Sequence, residues 1–209
     1  MKKIGITGNI ACGKSTAYEI IKSEDFSIID CDDIVKKLYS GADFIFETAK
    51  IFPQIITDNK INLKILSELI FSDKDFKSAY ENFIFPKVRE KIIEFFKENL
   101  IKSQPTDVTL NSFQGLENKH YTFVVVPLLF EAGYENLFDK IIFISSNENI
   151  RKERLIARNS RLSNIADKVI NSQIPEEEKI KKSDYVIKNN GTLEEFKNAV
   201  EKLINDIIM

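Results

Sequence analysis

Apolar residues fall along this chain in two alternating rhythms. Short unbroken apolar or β-branched runs occur at Lys2–Thr7 (KKIGIT), Ser27–Ile29, Tyr121–Val126 (YTFVVV), Lys140–Ser145 (KIIFIS) and Asp184–Ile187 (DYVI). Runs of this kind suit strands covered on both faces of a parallel sheet. Between most of them apolar positions recur every three or four residues, as in Ser15–Lys22 (STAYEIIK), Asn149–Arg158 and Leu193–Ile208, which is the spacing of an amphipathic helix. Strands alternating with helices predict an α/β fold: an open, doubly wound parallel sheet of five strands with right-handed crossovers.

One stretch breaks the alternation. Residues 34–101 carry helical spacing, as in LKILSELIF and FPKVREKIIEFF, and lack clear strands. The stretch is too long for a simple crossover, so it predicts a helical subdomain inserted into a single domain spanning residues 1–209. Residues 102–120 (KSQPTDVTLNSFQGLENKH) are polar and turn-rich and predict a long loop or a small extension of the insertion.

Composition narrows the partners. With 43% hydrophobic and 30% charged residues the chain has the balance of a folded soluble protein. Its formal net charge of −2 supplies no global field for nucleic acid or an anionic membrane. No apolar stretch reaches the ~18 residues of a membrane span, and the N-terminal MKKIGIT is too short for a signal-peptide core. The expectation is a cytoplasmic protein, a monomer or weak homo-oligomer, with no nucleic-acid or membrane partner. Cys12 and Cys31 have neither zinc-type nor C-x-x-C spacing. The single histidine, His120, sits in the polar stretch LENKHYTF and reads as a solvated loop side chain. General-base chemistry therefore falls to a carboxylate.

The chemistry begins where the first strand ends. Gly8-Asn9-Ile10-Ala11-Cys12-Gly13-Lys14-Ser15 fits G-x-x-x-x-G-K-[ST] and lies after a strand and before a helix, the context the motif requires. Glycines let the backbone wrap a phosphate closely, and successive N–H groups and the helix N-terminus point at the anion. Lys14 is predicted to reach the β- and γ-phosphates of ATP and the Ser15 hydroxyl to ligate Mg²⁺, with the loop Gly8, Asn9, Ile10, Ala11, Cys12, Gly13, Lys14, Ser15 and Thr16 holding the nucleotide. The sheet is thus of the P-loop NTPase type.

Two further features fit phosphoryl transfer. Asp30-Cys31-Asp32 follows the second strand, at the sheet edge where ligands of open α/β folds bind. Asp32 there reads either as the carboxylate that orients an acceptor hydroxyl and takes its proton, or as a helix cap; Asp30 or Asp33 reads as the cap in the first case. The chain has only five arginines, yet Arg151, Arg154, Arg158 and Arg161 fall within eleven residues. At ~100° per residue they form one stripe, and arginine's planar fork grips phosphate oxygens. The stripe predicts a phosphate-facing helical lid over about residues 150–182, with Arg154 and Arg158 as its working residues and Arg154 the catalytic one. A solvated face with surface ion pairs is the alternative.

IGITGNIACGKST, IIDCDDI, VVPLLFEAG, RLIARN and SQIPEEEKIKKSDYVIKNNGTLEEF follow one another in this order. Together they resemble the dephospho-CoA kinase family nearly end to end, and the IDxD, PLLFE and SDYVIKNNG segments are more specific than the P-loop. The resemblance implies ATP-dependent phosphorylation of the ribose 3′-hydroxyl of dephospho-CoA, with ATP and dephospho-CoA as substrates. It implies that Asp32 acts on the acceptor hydroxyl, that the arginines serve the lid, and that Asn189 and Asn190 form a turn near the adenine. Asn190 is thereby a nucleotide-binding candidate, although either asparagine equally reads as shaping the turn. Glu131 reads as a Mg²⁺ or positioning carboxylate. The chain departs from the resemblance at Phe85-Pro86, where many members have His-Pro, and at Leu63, where many have arginine. Two other readings share parts of this chemistry: a P-loop kinase for another small molecule such as a nucleoside monophosphate, and a nucleotide-dependent switch protein.

Overall fold

The structure is a computed structural model, and it describes residues 1–102, 120–158, 166–171 and 173–208. Its sheet strands are β1 (Lys2–Thr7), β2 (Ser27–Asp30), β5 (Tyr121–Val125), β6 (Lys140–Ser145) and β7 (Tyr185–Lys188), with the short β3 (Ile56–Thr57) and β4 (Lys60–Ile61) between. The α-helices are α1 (Lys14–Ser23), α2 (Cys31–Ser40), α3 (Ala42–Ile51), α4 (Leu63–Ser72), α5 (Lys74–Lys102), α6 (Glu148–Arg158), α7 (Ala166–Asn171), α8 (Glu176–Lys181) and α9 (Leu193–Ile208). Five strands form a parallel sheet in the order β2-β5-β1-β6-β7. All five were expected from the apolar runs, with ends moved by one residue at most. The polar stretch expected over 102–120 falls almost wholly on 103–119, outside the described residues.

By contact the chain divides into two compact units, Met1–Asp30 with Glu94–Met209, and Cys31–Ile93. In the first, the central strands β1, β5 and β6 are enclosed: Ile4, Ile6, Phe123, Val125, Ile142 and Ile144 are buried. Against them pack Ala17 and Ile21 of α1 and Phe196, Val200 and Ile204 of α9. The α9 residues recur at four-residue intervals, so one helical stripe supplies them all.

The second unit is built on aromatic contacts. Phe52 meets Phe76, Tyr80 and Phe83 with ring centroids 5.5, 5.4 and 5.6 Å away, in edge-to-face geometry that aromatic quadrupoles favour. Tyr80 Oη donates to Tyr39 Oη at 2.9 Å. Burial pushes both phenols up in pKa, Tyr80 far above the ordinary tyrosine range. The expectation of no strands in this region needs correction, because β3 and β4 pair antiparallel, Ile56 opposite Ile61 and Thr57 opposite Lys60. Their two-residue turn, Asp58-Asn59, has φ of 51° and 56°, the left-handed pair of a hairpin turn that Asp and Asn tolerate. That dipeptide between Ile-Thr and Lys-Ile was the overlooked signal.

Candidate active site

The phosphate loop leaves β1 through a passage too tight for a side chain. A Cβ on Gly8, at φ +155°, would lie 2.4 Å from the Ile144 carbonyl oxygen of the neighbouring β6. At the far end Gly13 has φ +110°, and a Cβ there would lie 2.2 Å from Asn189 Nδ2. Both glycines of the motif are thus sterically required. Between them Ala11 takes φ 61°, a conformation that L-residues adopt at a cost of ~1–2 kcal/mol. The loop closes on itself through Cys12 N–H to Asn9 O at 3.3 Å, and the first bond of α1 runs from Ala17 N–H to Gly13 O at 3.1 Å.

The amides of Lys14, Ser15 and Thr16 precede that first bond and so have no acceptor within the helix. Among the described α-helices, α1 alone has neither an acidic residue in its first turn nor a side-chain cap: α4, the other without an acid, is capped by Asn62, and the rest carry Asp or Glu there. A helix end left positive and uncapped beside a glycine loop suits an anion. Lys14 Nζ folds over the loop mouth, donating to Gly8 O at 2.8 Å and Asn9 O at 3.0 Å. Ser15 is exposed at the first turn. No cluster of three metal-binding side chains occurs among the described residues, and Mg²⁺ characteristically takes one or two protein ligands together with phosphate and water. The donor set therefore fits a nucleotide triphosphate with its magnesium.

Around the loop stand side chains from three later segments. Asn189, at the end of β7 and 6% exposed, donates from Nδ2 to Cys12 O at 2.8 Å and accepts at Oδ1 from Arg154 Nη2 at 3.3 Å. Arg154 also reaches Ser146 Oγ at 3.4 Å, so α6 brings it to the loop through Asn189. Arg158 is exposed one turn further along α6. Arg151 belongs to the interior: its Nε donates to Ser146 O at 3.0 Å and its guanidinium lies 4.0 Å from Glu176. Arg161 lies outside the described residues. Asn190 accepts at Oδ1 from Asn147 N–H at 2.8 Å, a bond that shapes the turn.

Ile10, one of the expected loop donors, gives its N–H to Gln173 Oε1 at 2.7 Å. The next residue, Ile174, donates its N–H to Glu131 Oε1 at 3.4 Å, and Glu131 pairs with the ammonium of Lys179 at 2.6 Å. Gln173 and Lys179 carried no sequence signal of this role, because a lone Gln or Lys in a polar segment reads as surface. Asn189 had a signal in its turn, but not its target.

Asp32 lies in the first turn of α2, two residues beyond the end of β2, and is exposed. Asp33 beside it pairs with Lys36 at 2.8 Å. Within the helical unit, Lys36, Tyr39, Phe46, Ile56, Ile61 and Leu63 are among the residues lining a pocket of about 930 Å³. Phe46 and Leu63 expose 63% and 59% of their surface in that pocket's wall.

A glycine-flanked phosphate loop between a central parallel strand and an uncapped helix, with an arginine led to it by the neighbouring helix, defines a P-loop kinase. Residues 2–195 match the family model described as CoaE: Dephospho-CoA kinase. A dephospho-CoA kinase of Campylobacter jejuni is 37% identical, the match covering 97% of this chain and 94% of the relative. A solved structure of a dephospho-CoA kinase from Campylobacter jejuni superimposes with a TM-score of 0.66 at 34% identity, covering 98% of this chain and 96% of that one. The chain belongs to the dephospho-CoA kinase family, whose activity is the ATP-dependent phosphorylation of dephospho-CoA to CoA. A shikimate kinase from Acinetobacter baumannii, at 10% identity and a TM-score of 0.56 over 100% of this chain and 93% of that one, shares the fold alone.

Proposed function

We propose that the chain moves the γ-phosphoryl group of ATP to the ribose 3′-hydroxyl of dephospho-CoA, with the roles divided as follows. Residues 8–16 hold the triphosphate, and Lys14 offsets charge on its β- and γ-oxygens. The Ser15 hydroxyl would hold Mg²⁺, which would supply positive charge against the phosphate oxygens. Asp32 orients the 3′-hydroxyl and takes its proton. Arg154 and Arg158, in a lid over about residues 150–182, meet the charge that spreads over the transferred group. The helical region of about residues 34–101 binds the acceptor. The observation that carries this reading is the loop itself, with two glycines that admit no side chain and an adjoining helix end without cap or acid.

We assign the enzyme to the cytoplasm as a monomer or weak homo-oligomer. A coupled ADP-release assay tests the substrate: dephospho-CoA should drive stoichiometric ADP formation, and nucleoside monophosphates should not. ADP formation only with another acceptor would overturn the acceptor assignment and leave the phosphate loop standing.

A further inference from the structure

Two carboxamides bracket the strained residue of the phosphate loop. Ala11 sits at φ 61°; the N–H just before it, on Ile10, is taken by Gln173 Oε1 at 2.7 Å, and the carbonyl just after it, on Cys12, is taken by Asn189 Nδ2 at 2.8 Å. A left-handed non-glycine residue persists only where its surroundings hold it. Two anchors a residue apart on either side do so, and both come from outside the P-loop motif.

Gln173 is itself held. Ile174 N–H donates to Glu131 Oε1, and Glu131 is paired with Lys179, whose side chain is 1% exposed. A buried ammonium needs a partner, and removing one member of such a pair leaves the other charge buried and unpaired, so the contact holds Glu131 in place. Here the pair anchors the backbone immediately after Gln173. The chain of contacts runs from Lys179 through Glu131 and the Ile174 amide to the Gln173 carboxamide, and from there to the Ile10 amide.

We propose that Gln173 is a positioning residue for nucleotide binding: it fixes the Ile10 peptide and with it the left-handed turn at Ala11, so that the amides of residues 13–16 converge on the phosphates before the nucleotide arrives. It acts through the loop and need not touch the reacting atoms. The idea rests on residues 8–16 being the phosphate loop, and on nothing about the acceptor.

The test compares Gln173→Met, which keeps size but loses the acceptor oxygen, with Gln173→Glu, which keeps an oxygen for Ile10 N–H. Three readouts are taken: Mg·ATP affinity by calorimetry without acceptor, kcat and both KM values, and hydrogen exchange at the Ile10 amide. Loss of one pre-organising hydrogen bond predicts Mg·ATP binding weakened about fivefold in Gln173→Met. In that variant kcat and the dephospho-CoA KM should stay within twofold and Ile10 exchange should be faster; Ile10 protection should return in Gln173→Glu. Mg·ATP affinity within twofold of the parent while Ile10 exchange accelerates would overturn the proposal. So would a lowered Tm with kcat and both KM values worsening together, the mark of a merely structural residue. Lys14→Ala serves as control: if it leaves Mg·ATP affinity intact, the phosphate-loop reading has failed and takes this inference with it, whereas a loss there with no effect in Gln173→Met sinks this inference alone.

Discussion

The sheet unit holds its ligand-facing loop with backbone groups and buried carboxamides, whereas the helical unit presents an open pocket walled by apolar and aromatic side chains. In the first, position is dictated by sterics at a few atoms: a methyl on Gly8 or Gly13 has nowhere to go. In the second, Phe46, Ile56, Ile61 and Leu63 line a space that many combinations of apolar residues would line as well. Phosphate geometry is fixed by a chemistry common to all ATP users, so the loop tolerates little change. An apolar wall of this kind admits substitution more readily, and Leu63, one of the departures from the family resemblance, lines it.

If the contrast is right, variants in the two units should separate cleanly in their kinetics. The largest effect belongs to Lys14→Ala, which should lower kcat/KM by at least ~10³-fold and weaken Mg·ATP binding, because a charge aimed at the transferred group is lost. Asp32→Asn should lower kcat by about 10²- to 10⁴-fold and leave Mg·ATP affinity within twofold, the signature of a base that acts on the acceptor hydroxyl. Full turnover by that variant would reduce Asp32 to a helix-capping residue. Leu63→Ala and Phe46→Ala should each raise the KM for dephospho-CoA about three- to tenfold through lost apolar contact, with the ATP KM unmoved. A shift in the ATP KM instead would erase the division between the units.

The smallest effect concerns stability alone. Partial burial pushes the Asp184 carboxyl up, but the bonds from Lys140 and the Ile141 N–H outweigh it and hold the group below the usual carboxylate range. A carboxyl whose pKa is lower when folded contributes stability above its unfolded pKa and loses it as pH falls through the folded value. Asp184→Asn should therefore lower Tm by about 1–3 °C at neutral pH, given the modest worth of a partly exposed pair. The difference should close below about pH 4. It should leave both KM values unchanged.

What the sequence revealed follows the same divide. The five sheet strands and the C-terminal helix were legible because burial on both faces, or one apolar stripe, leaves a pattern in the sequence. The phosphate loop was legible because glycine, lysine and serine are each needed at a fixed position by backbone geometry. The hairpin at Ile56–Ile61 was missed because two-residue strands are too short to show alternation. Arginine clustering pointed to α6, yet periodicity could not separate Arg151, buried against Ser146 O, from Arg154, which meets Asn189. Glu131 stood out as a positioning candidate, but its pairing with Lys179 and the bond from Ile10 to Gln173 were not legible, since contacts formed across more than forty residues by ordinary polar side chains leave no local signature.

The destination of the phosphoryl group is the most direct test of the enzyme's chemistry. Phosphorus NMR of a reaction containing the enzyme, Mg·ATP and dephospho-CoA should show a new phosphomonoester resonance coupled to the ribose 3′ proton, growing in step with ADP. ADP and free inorganic phosphate without that resonance, or a phosphoryl group on any other position, would contradict transfer to the 3′-hydroxyl.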